Sequence, residues 1–155
     1  MIEFDLRIDD ERWQRLGGLD ANCLRALEAG GAACAVSGEV SVLLSDNGAL
    51  HALNKQFRHK DKPTDVLSFP ASEMEAPFLG DIAISFDLLE EDAGAQGKVL
   101  GDHLAHLLIH GLLHLAGYDH ENDTEAAEME ALERKALASI GIDDPYFDDR
   151  ENRPT

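Results

Sequence analysis

Along residues 2–9 apolar and polar side chains alternate, with Ile2, Phe4, Leu6 and Ile8 to one side and Glu3, Asp5, Arg7 and Asp9 to the other. A period of two predicts a half-buried strand. From residue 10 the period lengthens: Trp13, Leu16, Cys23, Leu24 and Leu27 recur at helical spacing, with an interruption expected at Gly17–Gly18 and a stop at Gly30–Gly31. Alternation returns over 38–46, where Val40, Val42 and Leu44 point inward as a second strand. Asp46 is then placed to cap a helix carrying Leu50, Leu53 and Phe57 on one face.

Pro63 predicts a turn, and Val66–Phe69 a short strand ended by Pro70. The polar, proline-flanked stretch 71–77 reads as a loop, 79–86 as a fourth strand and 87–95 as a helix, with a break near Gly97. A long leucine- and histidine-rich helix follows. Asn122 and Glu125 have capping-box spacing for a final helix with Met129, Leu132, Ala136 and Ile140 on one face and Gly141 closing it. Strands and helices succeed one another without regular alternation. The fold class is therefore α+β, a small mixed four-stranded sheet packed by about five helices. A chain of 155 residues makes one domain. We assign it residues 1–147 and read 148–155 as a frayed acidic tail.

Five of the seven histidines fall between His103 and His120. At 100° per residue, His103, His106, His110 and His114 lie within roughly 80° of one another. Leucines cover the rest of the helix. A lone helical histidine is ordinarily a hydrogen-bonded core or surface residue, but this spacing changes that reading. His110 and His114 are four apart, on successive turns. Gly117 can end the helix in the left-handed conformation and return His120 to the same point. His110, His114 and His120 are thus the candidate metal ligands, at the end of a central helix. A site one turn upstream, on His106 and His110, would leave His120 roughly 6 Å further to reach. His103 and His106 are expected beside the centre, lining its groove or donating hydrogen bonds to it. Three nitrogen ligands and no nearby cysteine leave a tetrahedral position open, the arrangement of a catalytic zinc whose bound water is made acidic. One Zn2+ ion is the expected cofactor. Helical zinc proteases carry a glutamate directly after the first ligand. That position is Gly111 here, so the protease base is missing, and packing or substrate access is the reason expected for the glycine.

The segment HGLLHLAGYDH at 110–120, with DKPTDVLSFP at 61–70 and LGDI at 79–82, resembles the YbeY family of bacterial endoribonucleases. The resemblance covers nearly the whole chain. It implies an α+β, metal-dependent, single-strand-specific endoribonuclease of 16S rRNA 3′-end maturation and ribosome quality control. Implied partners are ribosomal RNA, the small ribosomal subunit and its assembly factors. It also implies that Arg58, just upstream of the DKPT segment, is the functional arginine. Read from residue type alone, an arginine at a helix end is more often a carbonyl cap. Phe57 stands where members of the family often have tyrosine, which removes any contribution from that hydroxyl.

A formal net charge of −18 is unusual for a protein that binds nucleic acid. Its distribution matters more. KQFRHKDK at 55–62 carries four cations against one acid, whereas 73–92 and 119–133 contain no lysine or arginine. A basic strip on an otherwise repelling surface can align an RNA strand locally. Arg58 and His114 are the candidate catalytic residues. Lys60 and Lys62 are candidate phosphate contacts. Thr64, Asp65 and Ser68 either face the cleft or satisfy the turn, and Ser68 is kept as a candidate substrate contact. Asp81 either steers a ligand ring or pairs with a cation, Asp119 either steers a ring or simply stands in the exit turn, and Tyr118 either steers a ring or packs the turn. No residue is an obvious general base, leaving water and the RNA 2′-OH both open as nucleophile.

No apolar run approaches the ~20 residues of a membrane span. The first residues lack a signal peptide's pattern, and Cys23 and Cys34 are expected as reduced thiols, so the expected location is cytoplasmic. Two other functions fit the histidines: a zinc peptidase or amidohydrolase, and a non-catalytic ribosome-assembly factor with a structural metal.

Overall fold

The computed structural model describes residues 1–62 and 64–145. The turn expected at Pro63 and the tail boundary at 147/148 lie outside these. Four strands form one sheet: β1 (Ile2–Ile8), β2 (Gly38–Ser45), β3 (Val66–Pro70) and β4 (Phe78–Ser85). Their order is β1-β2-β4-β3, with β1/β2 and β2/β4 parallel and β3/β4 antiparallel. Among the described residues there are five α-helices: α1 (Leu19–Cys34), α2 (Asn47–Arg58), α3 (Phe86–Gln96), α4 (Leu100–Leu115) and α5 (Asp123–Ser139). The expected mixed four-stranded sheet and five helices are therefore present.

Alternation builds two layers on the sheet. Val40, Val42, Leu44, Ile82 and Ile84 face α1 and α4 in the main core, with α5 packed behind them through Met129, Ala136 and Leu137. Leu43, Leu67 and Ala83 face the opposite way, onto Leu50 and Leu53 of α2. Trp13, fully buried, donates its indole N–H to the Ser45 carbonyl at 3.0 Å and stands edge-on to Phe86. Arg12 ties Asp10 to Asp87 with bonds of 2.7 Å, and its guanidinium holds both carboxyls below the usual carboxylate range.

The break at Gly17–Gly18 is real: a 3-10 turn (Glu11–Arg15) precedes α1, and Gly18 begins the helix at φ +64°. Gly30–Gly31 does not end it. The helix runs on to Cys34, because those glycines are buried contacts rather than terminators. A Cβ on Gly30 would meet Leu112 of α4 at 3.1 Å, and one on Gly31 the Val36 carbonyl at 2.8 Å. Asp46 caps α2 as expected, accepting from the Ala49 N–H at 2.8 Å. The box at α5 is only half formed: Asn122 Oδ1 accepts from Glu125 N, but the Glu125 carboxylate returns to Glu121 rather than Asn122. No described helix is long and apolar enough to cross a membrane.

Candidate metal centre

Helix α4 carries its leucines into the core and leaves His106, His110 and His114 half-buried, the first two against Glu133 of α5. The helix ends as Gly117 adopts φ +101° and its N–H returns to the His114 carbonyl. The Tyr118 N–H then bonds to Leu113 O, and the reversed chain brings His120 back over the last turn. His110, His114 and His120 each offer a ring nitrogen, all within 4.8 Å of one another. Their rings lie 4.6, 5.7 and 5.2 Å apart, centre to centre, for the pairs 110–114, 110–120 and 114–120. His120 is exposed, so the cluster opens to solvent on that side.

The hydrogen bonds behind the rings fix which nitrogens face inward. His114 Nδ1 lies 2.9 Å from the Tyr118 carbonyl, a group that only accepts. His110 Nδ1 lies 2.7 Å from Glu133 Oε1, the same oxygen that His106 Nε2 approaches at 3.2 Å. An oxygen approached by two ring nitrogens accepts from them, so His110 and His114 carry their protons on Nδ1. Both Nε2 atoms are left with lone pairs, 3.1 Å apart. Lone pairs at that distance repel unless a cation lies between them. The donor set, three imidazoles with two already held in the metal-binding tautomer, fits a divalent ion. Burial, followed by the neighbouring His110 and His120, pushes the His114 pKa below its ordinary value and favours the neutral ligand form.

Glu133 is the functional residue that sequence reasoning missed. It is fully buried on α5, on a face shared with Met129, Ala136 and Leu137. The available signal was an acid standing four residues from two apolar core positions, 129 and 137, where an uncompensated charge is costly. The expectation for His106 holds, since it shares Glu133 with His110. That for His103 does not. His103 is 4% exposed, both ring nitrogens are buried without a hydrogen-bond partner among the described residues, and burial pushes its pKa down to about 4.

Arg58, the last residue of α2, reaches across the edge strand β3. Its Nη2 donates to the Ser68 carbonyl and its guanidinium lies over the Phe69 ring, 5.5 Å from the centroid. The Ser68 hydroxyl points the other way, donating at 3.3 Å to the carbonyl of Gly111, between the two helical ligands. Ser68 thereby links Arg58 to the histidine turn. Lys60 and Lys62 are exposed in the loop after α2, held by Asn54 through the Lys60 N–H and the Lys62 carbonyl, and no described contact joins them to the histidines. Asp65 serves the turn by accepting from Val66 N. Asp81 lies on the α2 face of the sheet, in the groove with Asp5 and Phe69, and steers no ligand. Asp119 accepts from the His120 N–H at 2.7 Å and so shapes the loop that presents that ring. Gly111 is a packing glycine: a Cβ there would lie 3.1 Å from Ile82 and from Ser68 Oγ.

An α+β domain that gathers three imidazoles at a helix exit, with no cysteine among them and one side open, has the donors to hold a metal ion and leave one position accessible. The chain belongs to the endoribonuclease YbeY family, whose sequence model, described as Endoribonuclease YbeY, matches residues 8–141. An endoribonuclease YbeY of Rhodopseudomonas palustris is 47% identical over 151 residues, covering 90% of either chain. One of Azorhizobium caulinodans is 42% identical over 153 residues, covering 94% of this chain and 96% of the relative. A Thermotoga maritima protein solved in solution shares the fold with a TM-score of 0.57 at 26% identity, over 96% of this chain and all of that one.

Proposed function

We propose that this protein is a metal-dependent endoribonuclease that cleaves phosphodiesters of single-stranded RNA, with His110, His114 and His120 holding one zinc ion. The reading is carried by the two Nε2 atoms lying 3.1 Å apart while the Nδ1 atoms behind them are turned to the Glu133 carboxylate and the Tyr118 carbonyl. Bound there, a divalent cation supplies positive charge and Lewis acidity to a phosphoryl oxygen.

The chain's own residues supply the rest. Glu133 and the Tyr118 carbonyl keep the His110 and His114 rings in one tautomer and one orientation. Arg58 is anchored by one arm on β3, and its remaining N–H groups form a planar fork suited to two phosphate oxygens as charge builds on them. Lys60 and Lys62 add attraction for the phosphate backbone without fixed geometry. Ser68 sits behind Arg58 and steadies the turn between the ligands.

We place this cleavage in the cytoplasm, in 16S rRNA 3′-end maturation and ribosome quality control, with the small ribosomal subunit and its assembly factors as partners. Membership of the YbeY family supports that setting. The net charge of −18 supports recruitment by a partner, since unaided RNA affinity has only the short basic strip to draw on. The peptidase alternative loses its base, because position 111 is packed into the sheet rather than turned to the open side.

The test is purified protein on labelled single- and double-stranded RNA, with and without chelator, beside a casein digest. Chelator-sensitive cleavage of single strands alone supports the proposal. Chelator-insensitive cleavage, or RNA binding without cleavage, defeats it. The product ends decide between water and the 2′-OH as nucleophile.

A further inference from the structure

Phe57 is a large aromatic residue that the core does not use. It is 56% exposed at the end of α2, and its ring meets that of Phe69 at 66° with centres 5.5 Å apart, so much of the ring surface is open to solvent. A single exposed phenylalanine is ordinary on a protein surface. This one has unusual neighbours. Lys55, Arg58, Lys60 and Lys62 surround it in sequence, four of the thirteen cations in a strongly acidic chain. It also walls a groove of about 530 Å3 on the α2 side of the sheet, with Leu53 and Phe69.

Two features decide what that groove takes. Its charged residues are Asp5 and Asp81 against Arg7, net negative, which disfavours a phosphate and suits a neutral planar group. Its position is set by β3. Successive strand residues point to opposite faces, so Ser68 looks toward α4 while Phe69 looks toward α2. Arg58 bridges that edge, touching Ser68 on its backbone and Phe69 on its ring. A strand whose phosphate sits on Arg58 has the histidine centre on one side of β3 and Phe57 on the other.

We infer that Phe57 and the groove beside it form a subsite for an unpaired nucleobase, which stacks on the exposed Phe57 ring while Arg58 holds a neighbouring phosphate. The inference rests on the endoribonuclease reading and adds a physical origin for single-strand preference. A base can reach the groove only when it is free of a partner strand, and stacking accepts any base.

The test uses full-length, zinc-loaded protein and a short labelled single-stranded RNA, with a series of the same RNA carrying one abasic sugar at successive positions. Phe57→Ala is expected to weaken binding of the intact RNA by roughly 5- to 100-fold. Phe57→Trp is expected to restore it, with its indole fluorescence quenched on binding. At one position the abasic sugar should weaken the wild type to the level of Phe57→Ala and leave Phe57→Ala unaffected. Zinc content of each variant, measured directly, should match the wild type. Overturning results are Phe57→Ala binding as tightly as the wild type, or every abasic position weakening both proteins equally, as it would if the groove received a protein partner. A wild type inert toward RNA overturns the endoribonuclease reading together with this one, whereas wild-type cleavage with an unaffected Phe57→Ala overturns this one alone.

Discussion

Glu133 Oε1 lies 2.7 Å from His110 Nδ1, so a carboxylate on α5 orients a ligand on α4. The contact is fully buried on the glutamate side. A partner of this kind fixes the tautomer of its histidine and raises its basicity. Glu133→Gln keeps the shape but removes the charge. Its zinc affinity, measured by competition with a chromophoric chelator, should fall by about 10- to 100-fold. Unchanged affinity would show that the carboxylate does not tune the centre.

His114 and Arg58 have separable duties. His114→Ala should lose both bound zinc and RNA cleavage, since it removes one of three nitrogens around the shared point. Arg58→Glu should abolish cleavage while zinc stoichiometry stays at the wild-type value, because Arg58 contacts Ser68 and Phe69 rather than any histidine. Metal analysis alongside the RNA assay separates the two. Zinc loss in Arg58→Glu would merge the duties.

Stability should carry a signature of His103. Its pKa is ordinarily 6.5 and falls to about 4 in the fold, chiefly through burial, with His106 and Lys98 adding and Asp92 opposing. The unfolded chain therefore takes up a proton below pH 6.5 that the folded chain refuses until about pH 4. Folding stability is unaffected well above that window and drops as pH falls through it, by at most about 1.4 kcal/mol per pH unit. His103→Leu removes the refusal. Urea denaturation at pH 8 and pH 5 should show the variant losing less stability than the wild type, and parallel losses would be the wrong outcome.

Gly111 tests whether space at the ligand turn is needed for packing. Alanine would gain up to about 1 kcal/mol of helix propensity. Its Cβ would press on Ile82, fully buried, and on Ser68 Oγ, all at 3.1 Å. Overpacking of this kind costs about 1–3 kcal/mol. We expect Gly111→Ala to be less stable by on the order of 1 kcal/mol in denaturant melts, and a stabilised variant would contradict the packing account.

What the sequence disclosed depended on whether the signal was local. The alternation of Ile2 to Ile8 and of Val40 to Leu44 located two strands, because one face of each is buried. His110, His114 and His120 could be grouped because helix pitch and Gly117 fix their spacing within a short stretch. Gly30–Gly31 misled, because a glycine that admits a neighbouring helix has the same letter as one that ends its own. Glu133 stayed hidden because its partners are 23 and 27 residues away, and only the packing of α5 on α4 brings them together. Arg58 needed the same help, since its contact with Ser68 depends on how α2 and β3 pair across the sheet edge.

That α5 supplies the carboxylate has a consequence during synthesis. The three ligands have been made once the chain passes residue 120, but His110 has no fixed orientation until residue 133 has emerged and its helix has docked. The His110 ring thus takes its final orientation only after the last helix has packed, so the cluster depends on a segment that follows all three of its imidazoles in the chain.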